Sequence, residues 1–211
     1  MNKVRNDHFF SNLEKFVNRF YPHQSQRKPY LKLKSWPSPK DEAWKFSRLG
    51  KLARKDILPI SLEYQESINI NKCIKNSISL VFVNGKFEKN LSDKLIPEIV
   101  IEEVQIKDFR EIIDKFDNLS IKSHPTLNST LLCSERFVQI KFENDVKFSN
   151  PIEIFNLGGT EKSSIHPFIF FDLGINADVQ VFQHYSCIAG LVAPLEIINL
   201  SKNSNLEIIK I

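Results

Sequence analysis

FDLGINADVQV at residues 171–181 decides the fold, because INLSKNSNLEI at residues 198–208 repeats its pattern 27 residues later. Each stretch has an apolar residue, an aspartate or asparagine and a leucine, then an asparagine beside a small residue, and ends in an apolar–polar–apolar alternation. An asparagine in a turn accepts a left-handed backbone or bonds to its own main chain, and the alternating tail is typical of a half-buried strand. Strand–turn–strand units at a constant offset stack and bury their apolar faces, so the repeat predicts a β-solenoid.

Two copies leave a second interpretation open, since repeat architectures normally show three or more units. In that interpretation the two stretches form a pair of Greek-key hairpins. The sequence also ends directly after an apolar strand at residues 206–209, and a solenoid that ends there has no polar capping repeat. We therefore expect either that another chain covers this edge or that the sequence is a truncated piece of a longer protein.

The sequence before the repeat predicts a small helical part and several strands. Apolar residues recur at three- and four-residue steps over residues 7–20, which indicates an amphipathic helix that packs on its own domain. A second helical segment is expected at about residues 40–58. Asn84-Gly85 after an apolar run predicts a hairpin at about residues 78–90. Further expected elements are a strand at 98–104, a helix at 107–118, and short strands around 137–142, 151–155, 168–171 and 179–182.

These elements predict a mainly β fold with a small α-rich module at its N-terminus. We assign residues 1–125 to that N-terminal α/β module. Residues 126–211 are assigned to the start of a β-helical core.

Composition and cysteine content indicate an ordinary globular protein of a reducing compartment. Of the 211 residues, 42% are hydrophobic and 26% are charged, which is a globular composition. The three cysteines, Cys73, Cys133 and Cys187, are far apart and form no CxxC pair, so neither a disulfide framework nor a zinc site is expected. The sequence shows no signal-peptide core and no long apolar run, and the cytoplasm is the expected location.

The front of the chain is basic, whereas the rest is mildly acidic. Residues 1–60 contain 14 lysines and arginines against 5 aspartates and glutamates. Such a module meets nucleic acid, an anionic membrane or an acidic protein surface, or it is simply a solvated helical face. Trp36, Trp44 and Phe46 interleave the charges and offer stacking surfaces for nucleic acid only if they are exposed. We favour packing anchors for these rings and expect neither a nucleic-acid nor a membrane partner.

Several motifs occur in the order found in one known family. Residues 42–49, EAWKFSRL, resemble the E-x-W-[KR]-[YF]-[ST]-x-L signature near the start of SufD proteins. Residues 80–87, LVFVNGKF, resemble a hairpin of that family, whereas the related SufB has a different N-terminal pattern. The resemblance covers roughly residues 40–211. The motifs that resemble the beginning of the family's β-helical core are Pro151-Ile152-Glu153-Ile154, His166-Pro167, Gly174, Asn176-Ala177 and His184-Tyr185.

The resemblance implies both a fold and a function. The fold is the beginning of a right-handed parallel β-helix of the SufB/SufD type. The function is that of a non-catalytic scaffold subunit of the SUF machinery, which assembles iron–sulfur clusters, with a SufB-like protein and a SufC-like ABC-type ATPase as partners. In that family SufB and SufD pair through their β-helical cores, and SufC docks on a C-terminal helical domain.

The same resemblance carries no site residue onto this chain. In the family, the residues tied to cluster assembly lie late in the core and the SufC-docking helices later still, beyond residue 211. We therefore expect no catalytic, cofactor-binding or metal-binding residue here and no cofactor bound by this part. The iron–sulfur cluster is implied for the complete complex.

Local chemistry offers few candidates. His184 and Cys187 form a His-x-x-Cys pair, and imidazole and thiolate suit iron or iron–sulfur sites. The pair supplies two ligands where a closed site needs four, so a buried thiol beside a strand-edge histidine is the favoured interpretation. His166 before Pro167 is expected in a turn. The Gly158-Gly159 pair lacks the lysine and the spacing of a phosphate loop and is read as a plain turn.

One alternative function class remains open from the strand pattern. A β-solenoid that binds or cleaves carbohydrate often carries acidic residues along an exposed groove. The repeat strands here place Gln, Glu and Lys outward without an evident ladder of carboxylates, so we rank this alternative second.

Overall fold

The computed structural model describes residues 8–22, 36, 40, 42–46, 49–60, 70–94, 96–106, 124–148, 150–188 and 190–211. Within these residues the fold is mainly β, as predicted, with α-helices α1 at His8–Phe20 and α2 at Pro125–Cys133. Short 3₁₀ helices lie at Glu42–Trp44, Leu49–Arg54 and Lys89–Leu91. The strands are β1 Leu58–Pro59, β2 Ile78–Val83, β3 Lys86–Phe87, β4 Ile99–Gln105, β5 Arg136–Phe142, β6 Ile152–Gly158, β7 Ser163–Ile165, β8 Phe168–Leu173, β9 Asp178–Cys187, β10 Leu191–Val192, β11 Leu195–Leu200 and β12 Asn205–Lys210.

Helix α1 confirms the amphipathic helix predicted at residues 7–20. Its residues Phe9, Leu13 and Val17 recur at helical spacing and are buried. They form one cluster with Trp36 and Ile57, and the ring centroids of Phe9 and Trp36 are 5.1 Å apart. Trp36 is therefore a packing anchor, as the sequence analysis favours, and not an exposed stacking surface.

The single helical segment expected at about residues 40–58 is wrong in type and length. The chain instead forms two short 3₁₀ helices and then extends into β1, where Leu58 and Pro59 pair in parallel with Ser163 and Ser164. Phe46 is 88% exposed, so the packing role expected for this ring is wrong. The helix predicted at 107–118 lies outside the described residues.

Helix α2 was not predicted, because its apolar pattern is weak. Its buried residues include the polar Asn128, Ser129 and Thr130 beside Leu131 and Leu132, so the helix is covered all round rather than on one face. Leu131 packs with Phe168, Phe170, Leu195 and Ile197 of β8 and β11. The helix thus covers part of one sheet, and tertiary packing rather than amphipathicity stabilises it.

The strands form three sheets with the orders β1-β7-β10, β4-β5-β8-β11 and β3-β2-β6-β9-β12, here called the first, second and third sheets. All neighbouring pairs are parallel except β2–β3 and β4–β5. From β6 onward the chain visits the third, first and second sheets in turn. Hence β6, β7 and β8 are followed by β9, β10 and β11, and then by β12.

The internal repeat of the sequence is confirmed as a structural repeat. Phe171 of β8 lies opposite Ile198 of β11, and Val181 of β9 lies opposite Ile208 of β12. Both registers join residues 27 positions apart, which is the offset of the sequence pattern. The pairs are parallel, whereas the strands of a hairpin run antiparallel, so the Greek-key alternative is wrong.

The sheets extend across the predicted division between residues 125 and 126. Strand β2 pairs in parallel with β6, and β4 pairs antiparallel with β5. The hairpin predicted at 78–90 is confirmed as β2 and β3, but it belongs to the third sheet. The predicted boundary therefore does not separate the sheets of the two assigned regions.

The main hydrophobic core lies between the second and third sheets. It contains Ile169, Phe171 and Leu173 of β8 together with Ile152 and Ile154 of β6. Side chains alternate along a strand, so Glu153 and Phe170 point to the opposite faces of their sheets. This alternation positions the polar cluster described below.

The turns before successive strands carry a ladder of amide and carboxylate side chains. Asp145, Asn176 and Asn203 all have positive φ angles, of 60°, 56° and 58°. Asn176 Nδ2 donates to Asp145 Oδ1 over 2.7 Å, and Asn203 Nδ2 donates to Asn176 Oδ1 over 3.1 Å. Asparagine and aspartate tolerate this left-handed backbone best among residues with a side chain, which explains the asparagine of the repeat.

Replacing Asn176 separates the two roles of that residue. Asn176→Ala loses the ladder bonds and adds the left-handed backbone cost, so we expect a loss of about 1–2 kcal/mol in the free energy of unfolding. Asn176→Gly loses the bonds alone and should lose less than about 1 kcal/mol. Urea unfolding of both variants measures the difference; equal losses would mean that the backbone conformation is not strained.

Candidate functional site

A buried carboxylate, Glu153, lies at the centre of a polar cluster on the face of the third sheet that points away from the main core. Its side chain is in β6 and the residue is 0% exposed. Glu153 Oε1 accepts the backbone N–H of Cys73 over 3.1 Å, and Oε2 accepts the hydroxyl of Ser77 over 2.5 Å. The carboxylate therefore ties the segment before β2 to the sheet.

His184 of β9 completes this cluster. Its Nε2 lies 3.0 Å from Glu153 Oε1, and its ring stacks on Phe155 with centroids 4.7 Å apart and an angle of 11° between the planes. Phe155 and His184 lie opposite each other in the parallel register of β6 and β9. Stacking and hydrogen bonding together fix the orientation of the imidazole.

The structure does not bring His184 and Cys187 together. Residues three positions apart on a strand point to opposite faces, and the Cys187 thiol donates instead to the backbone oxygen of Asn156 over 3.2 Å. Burial raises the pKa of Cys187 to about 11, which disfavours the thiolate that a metal binds. The favoured interpretation, a buried thiol beside a strand-edge histidine, is therefore wrong, because Cys187 is partly exposed and His184 is buried on the other face of β9.

Cys73, rather than Cys187, lies near Glu153 and His184. The ligand atoms of Cys73, Glu153 and His184 all lie within 4.8 Å of one another. The sequence analysis missed this group because Cys73 and Glu153 are 80 positions apart. Only the parallel pairing of β2, β6 and β9 places the three residues side by side.

His166 lies in the short irregular connection between β7 and β8, and its side chain is partly buried. Its Nδ1 is 3.2 Å from Thr130 Oγ1, and its Nε2 is 2.9 Å from Ser164 Oγ. The Thr130 hydroxyl donates to the backbone oxygen of Ala193, so Nδ1 carries the proton and Nε2 accepts from Ser164. Burial lowers the pKa of His166 to about 3, which keeps the ring neutral.

The neutral state of His166 predicts a loss of stability in acid. Between about pH 6.5 and about pH 3 the unfolded chain binds a proton at His166 that the folded protein does not bind. The free energy of unfolding should fall as pH decreases through this range, by at most about 1.4 kcal/mol per pH unit from this residue. Urea unfolding at several pH values should show a flatter profile for His166→Asn than for the natural protein. Parallel profiles would contradict the assignment.

The Gly158-Gly159 pair is a turn that packs against the β2–β3 hairpin. The two φ angles are 102° and 88°, and the Gly159 N–H donates to Asn84 Oδ1 over 2.9 Å. A Cβ atom at position 158 would lie 2.3 Å from that oxygen. The pair thus needs glycine for close packing, in agreement with its interpretation as a turn.

A cleft of about 430 Å³ lies between the end of α1, the hairpin and the start of β5. Its wall includes Phe20, Phe87 and Phe168, and the ion pair of Arg136 with Glu103, 2.6 Å apart, lies on its side. The volume is in the range of small-molecule sites. The wall offers apolar contact and also contains Ser164 and His166, whose Oγ and Nε2 atoms lie 2.9 Å apart.

Strand β11, next to β12 in the chain, presents apolar side chains to solvent. Ile198 is 48% and Leu200 is 51% exposed, although their register partners Phe171 and Leu173 are 0% exposed. Among the described residues, β12 pairs with β9 and with no other strand. This face therefore has both free strand edges and uncovered apolar side chains.

Neither helix in the described part of the chain has the length and apolarity needed to cross a membrane.

The comparisons with known proteins leave the family open. No protein-family model matches the chain, and a search of curated proteins gives no significant match.

Proposed function

We propose that this protein is a scaffold subunit of SufD type in an iron–sulfur cluster assembly complex, and that it works through protein contacts rather than catalysis. The observation that carries the proposal is the parallel register of β8 with β11 and of β9 with β12 at a constant offset of 27 residues. Three sheets visited in a fixed order are what the first rungs of a right-handed parallel β-helix require. The right-handed parallel β-helix, which goes beyond the three observed sheets, is part of the proposal.

The uncovered face of β11 supports a role in contact with another polypeptide. Ile198 and Leu200 continue the apolar columns that contain Phe171 and Leu173. About half of each side chain is exposed, so covering the pair contributes roughly 1 kcal/mol each. A further rung or a partner's β-helical core is the natural cover for this face, and pairing of β-helical cores is what the resemblance to SufD implies.

The alternative of a carbohydrate-active or carbohydrate-binding solenoid gains no support from the exposed carboxylates. Asp172 accepts the side-chain amide of Asn199 over 2.8 Å, and Asp178 accepts that of Asn205 over 2.9 Å. Glu207 accepts Gln180 Nε2 over 2.6 Å. These carboxylates accept hydrogen bonds from amide side chains of the neighbouring strand and do not form a free acidic groove.

Co-purification tests the proposal directly. The natural gene that carries this sequence is expressed with the SufB-like and SufC-like proteins of the same genome, with an affinity tag on the SufB-like protein only. We expect this protein and the SufC-like ATPase to be retained with the tagged subunit through size-exclusion chromatography. Retention of the ATPase without this protein would overturn the proposal, and glycan binding in its place would support the solenoid alternative.

A further inference from the structure

The Cys73–Glu153–His184 cluster has a composition that the scaffold role does not require. It combines a thiol, a carboxylate and an imidazole from three separate segments: a turn, β6 and β9. Zn²⁺ takes these three ligand types, and three protein ligands with one open position are found in exchangeable and catalytic zinc sites. The sequence spacing rules that exclude zinc sites detect only ligands close together in the chain.

Two of the three groups are already fixed in place. Glu153 is 0% exposed, and His184 is held between its hydrogen bond to Glu153 and the stacked ring of Phe155. The backbone of Cys73 is tied to the same carboxylate, with 3.1 Å between its nitrogen and Glu153 Oε1. A metal would replace the contact between His184 and Glu153, whereas the Phe155 stack and the bonds from Cys73 N–H and Ser77 Oγ would still orient the two ligands from outside.

The thiol is the movable third group. Cys73 is exposed, and its sulfur makes a weak contact of 3.9 Å with the backbone oxygen of Asn71. A tetrahedral site with bonds of about 2.0–2.3 Å needs its ligand atoms roughly 3–4 Å apart. The ligand atoms lie within 4.8 Å of one another, so a metal site requires the exposed Cys73 side chain to move closer to Glu153 and His184.

We propose that Cys73, Glu153 and His184 form a binding site for one divalent cation of the Zn²⁺ type. On binding, the Cys73 thiol releases its proton to solvent and its sulfur bonds to the metal. The proton that His184 Nε2 donates to Glu153 Oε1 is exchanged through solvent to Nδ1, so that Nε2 and the carboxylate both bind the metal in place of their hydrogen bond. Thiolate and carboxylate together neutralise the two positive charges. The nearby cation Lys72 is paired with Asp93 at 2.5 Å, so its charge is compensated. The fourth position is open to water or to an incoming ligand.

The competing explanation is purely structural: Glu153 holds the turn at Cys73 and Ser77, and the thiol has no role. The two explanations differ in what they require of Cys73. A structural carboxylate uses only the backbone N–H of that residue, which any amino acid except proline supplies. A metal site requires its sulfur.

The test is a titration of the tag-free, metal-free protein with Co²⁺, followed by absorption. We expect one Co²⁺ per chain with a thiolate-to-cobalt charge-transfer band and intense d–d bands, and displacement by one equivalent of Zn²⁺ but not by excess Mg²⁺. Cys73→Ser should abolish the charge-transfer band and weaken binding at least about tenfold, and His184→Gln should weaken binding to a similar extent. Cys133→Ser and Cys187→Ser are the matched controls and should leave the spectrum unchanged.

The outcomes separate the two explanations, and they do not depend on the scaffold proposal. No charge-transfer band in the natural protein, or an unchanged band in Cys73→Ser, would overturn the site. Because Cys73 is exposed, the Cys73→Ser variant should keep the urea midpoint of the natural protein. Loss of the band with an unchanged midpoint therefore supports the metal site.

Discussion

Replacing Leu173 with alanine is expected to remove about 2–5 kcal/mol from the free energy of unfolding of this chain. Leu173 is 0% exposed and belongs to the main core between the second and third sheets. Its neighbours in the second sheet are Phe142 of β5 and Leu200 of β11, so the missing atoms leave a cavity that strands on both sides of β8 hold open. Urea denaturation followed by circular dichroism measures the loss.

Leu200→Ala is the matched control inside the same chain. Leu200 has the same residue type and the same position in the repeat, 27 residues later, but is 51% exposed. We expect this change to cost about 1 kcal/mol or less in the isolated chain, because much of the side chain is in water before and after unfolding. Equal losses at both positions would show that Leu200 is covered in solution, by a second copy or by another chain. The comparison therefore also reports on the contact face on which the scaffold proposal depends.

The register of the repeat could be predicted from the sequence because the two copies of the pattern have a fixed offset of 27 residues. The two copies of the pattern place Asn176 and Asn203, or Phe171 and Ile198, 27 residues apart, and parallel pairing follows from that single offset. Helix α1 and the β2–β3 hairpin could also be predicted from short stretches of sequence. The helix follows from the helical period of its apolar residues, and the hairpin follows from Asn84-Gly85.

The parts that sequence analysis missed depend on contacts between distant segments. The stretch at 40–58 is extended at its end because Leu58 and Pro59 pair with β7, which lies about a hundred residues later. Helix α2 buries polar residues against a sheet and so lacks the usual apolar stripe. The Glu153 cluster joins residues from three segments and contains Cys73, not the Cys187 of the local His184-x-x-Cys187 spacing.

Glu153→Ala should be as destabilising as Leu173→Ala, for an electrostatic rather than a steric reason. The change leaves the Cys73 N–H, the Ser77 hydroxyl and His184 without their shared acceptor. Each buried polar group that loses its partner costs about 1–3 kcal/mol. The Ser77 hydroxyl also reaches the backbone oxygen of Ile74 at 2.9 Å, so it suffers least. We expect a total loss of about 3–5 kcal/mol in urea unfolding, with faster amide exchange at Cys73 and Ser77.

Glu153→Gln distinguishes the acceptor role of this residue from simple space filling. A glutamine whose oxygen occupies the Oε1 position still accepts from Cys73 and His184. Its NH₂ group then faces Ser77, whose hydroxyl accepts from that NH₂ group and donates to the backbone oxygen of Ile74. The loss should therefore fall to about 1–2 kcal/mol, since hydrogen bonds to a charged acceptor are replaced by neutral ones. Glu102→Gln, on an exposed position of β4, is the control and should change little. If Glu153→Gln lowers the free energy of unfolding as much as Glu153→Ala does, the negative charge of Glu153 itself holds the turn. A cation bound in the cluster is then the simplest explanation of how that charge is compensated.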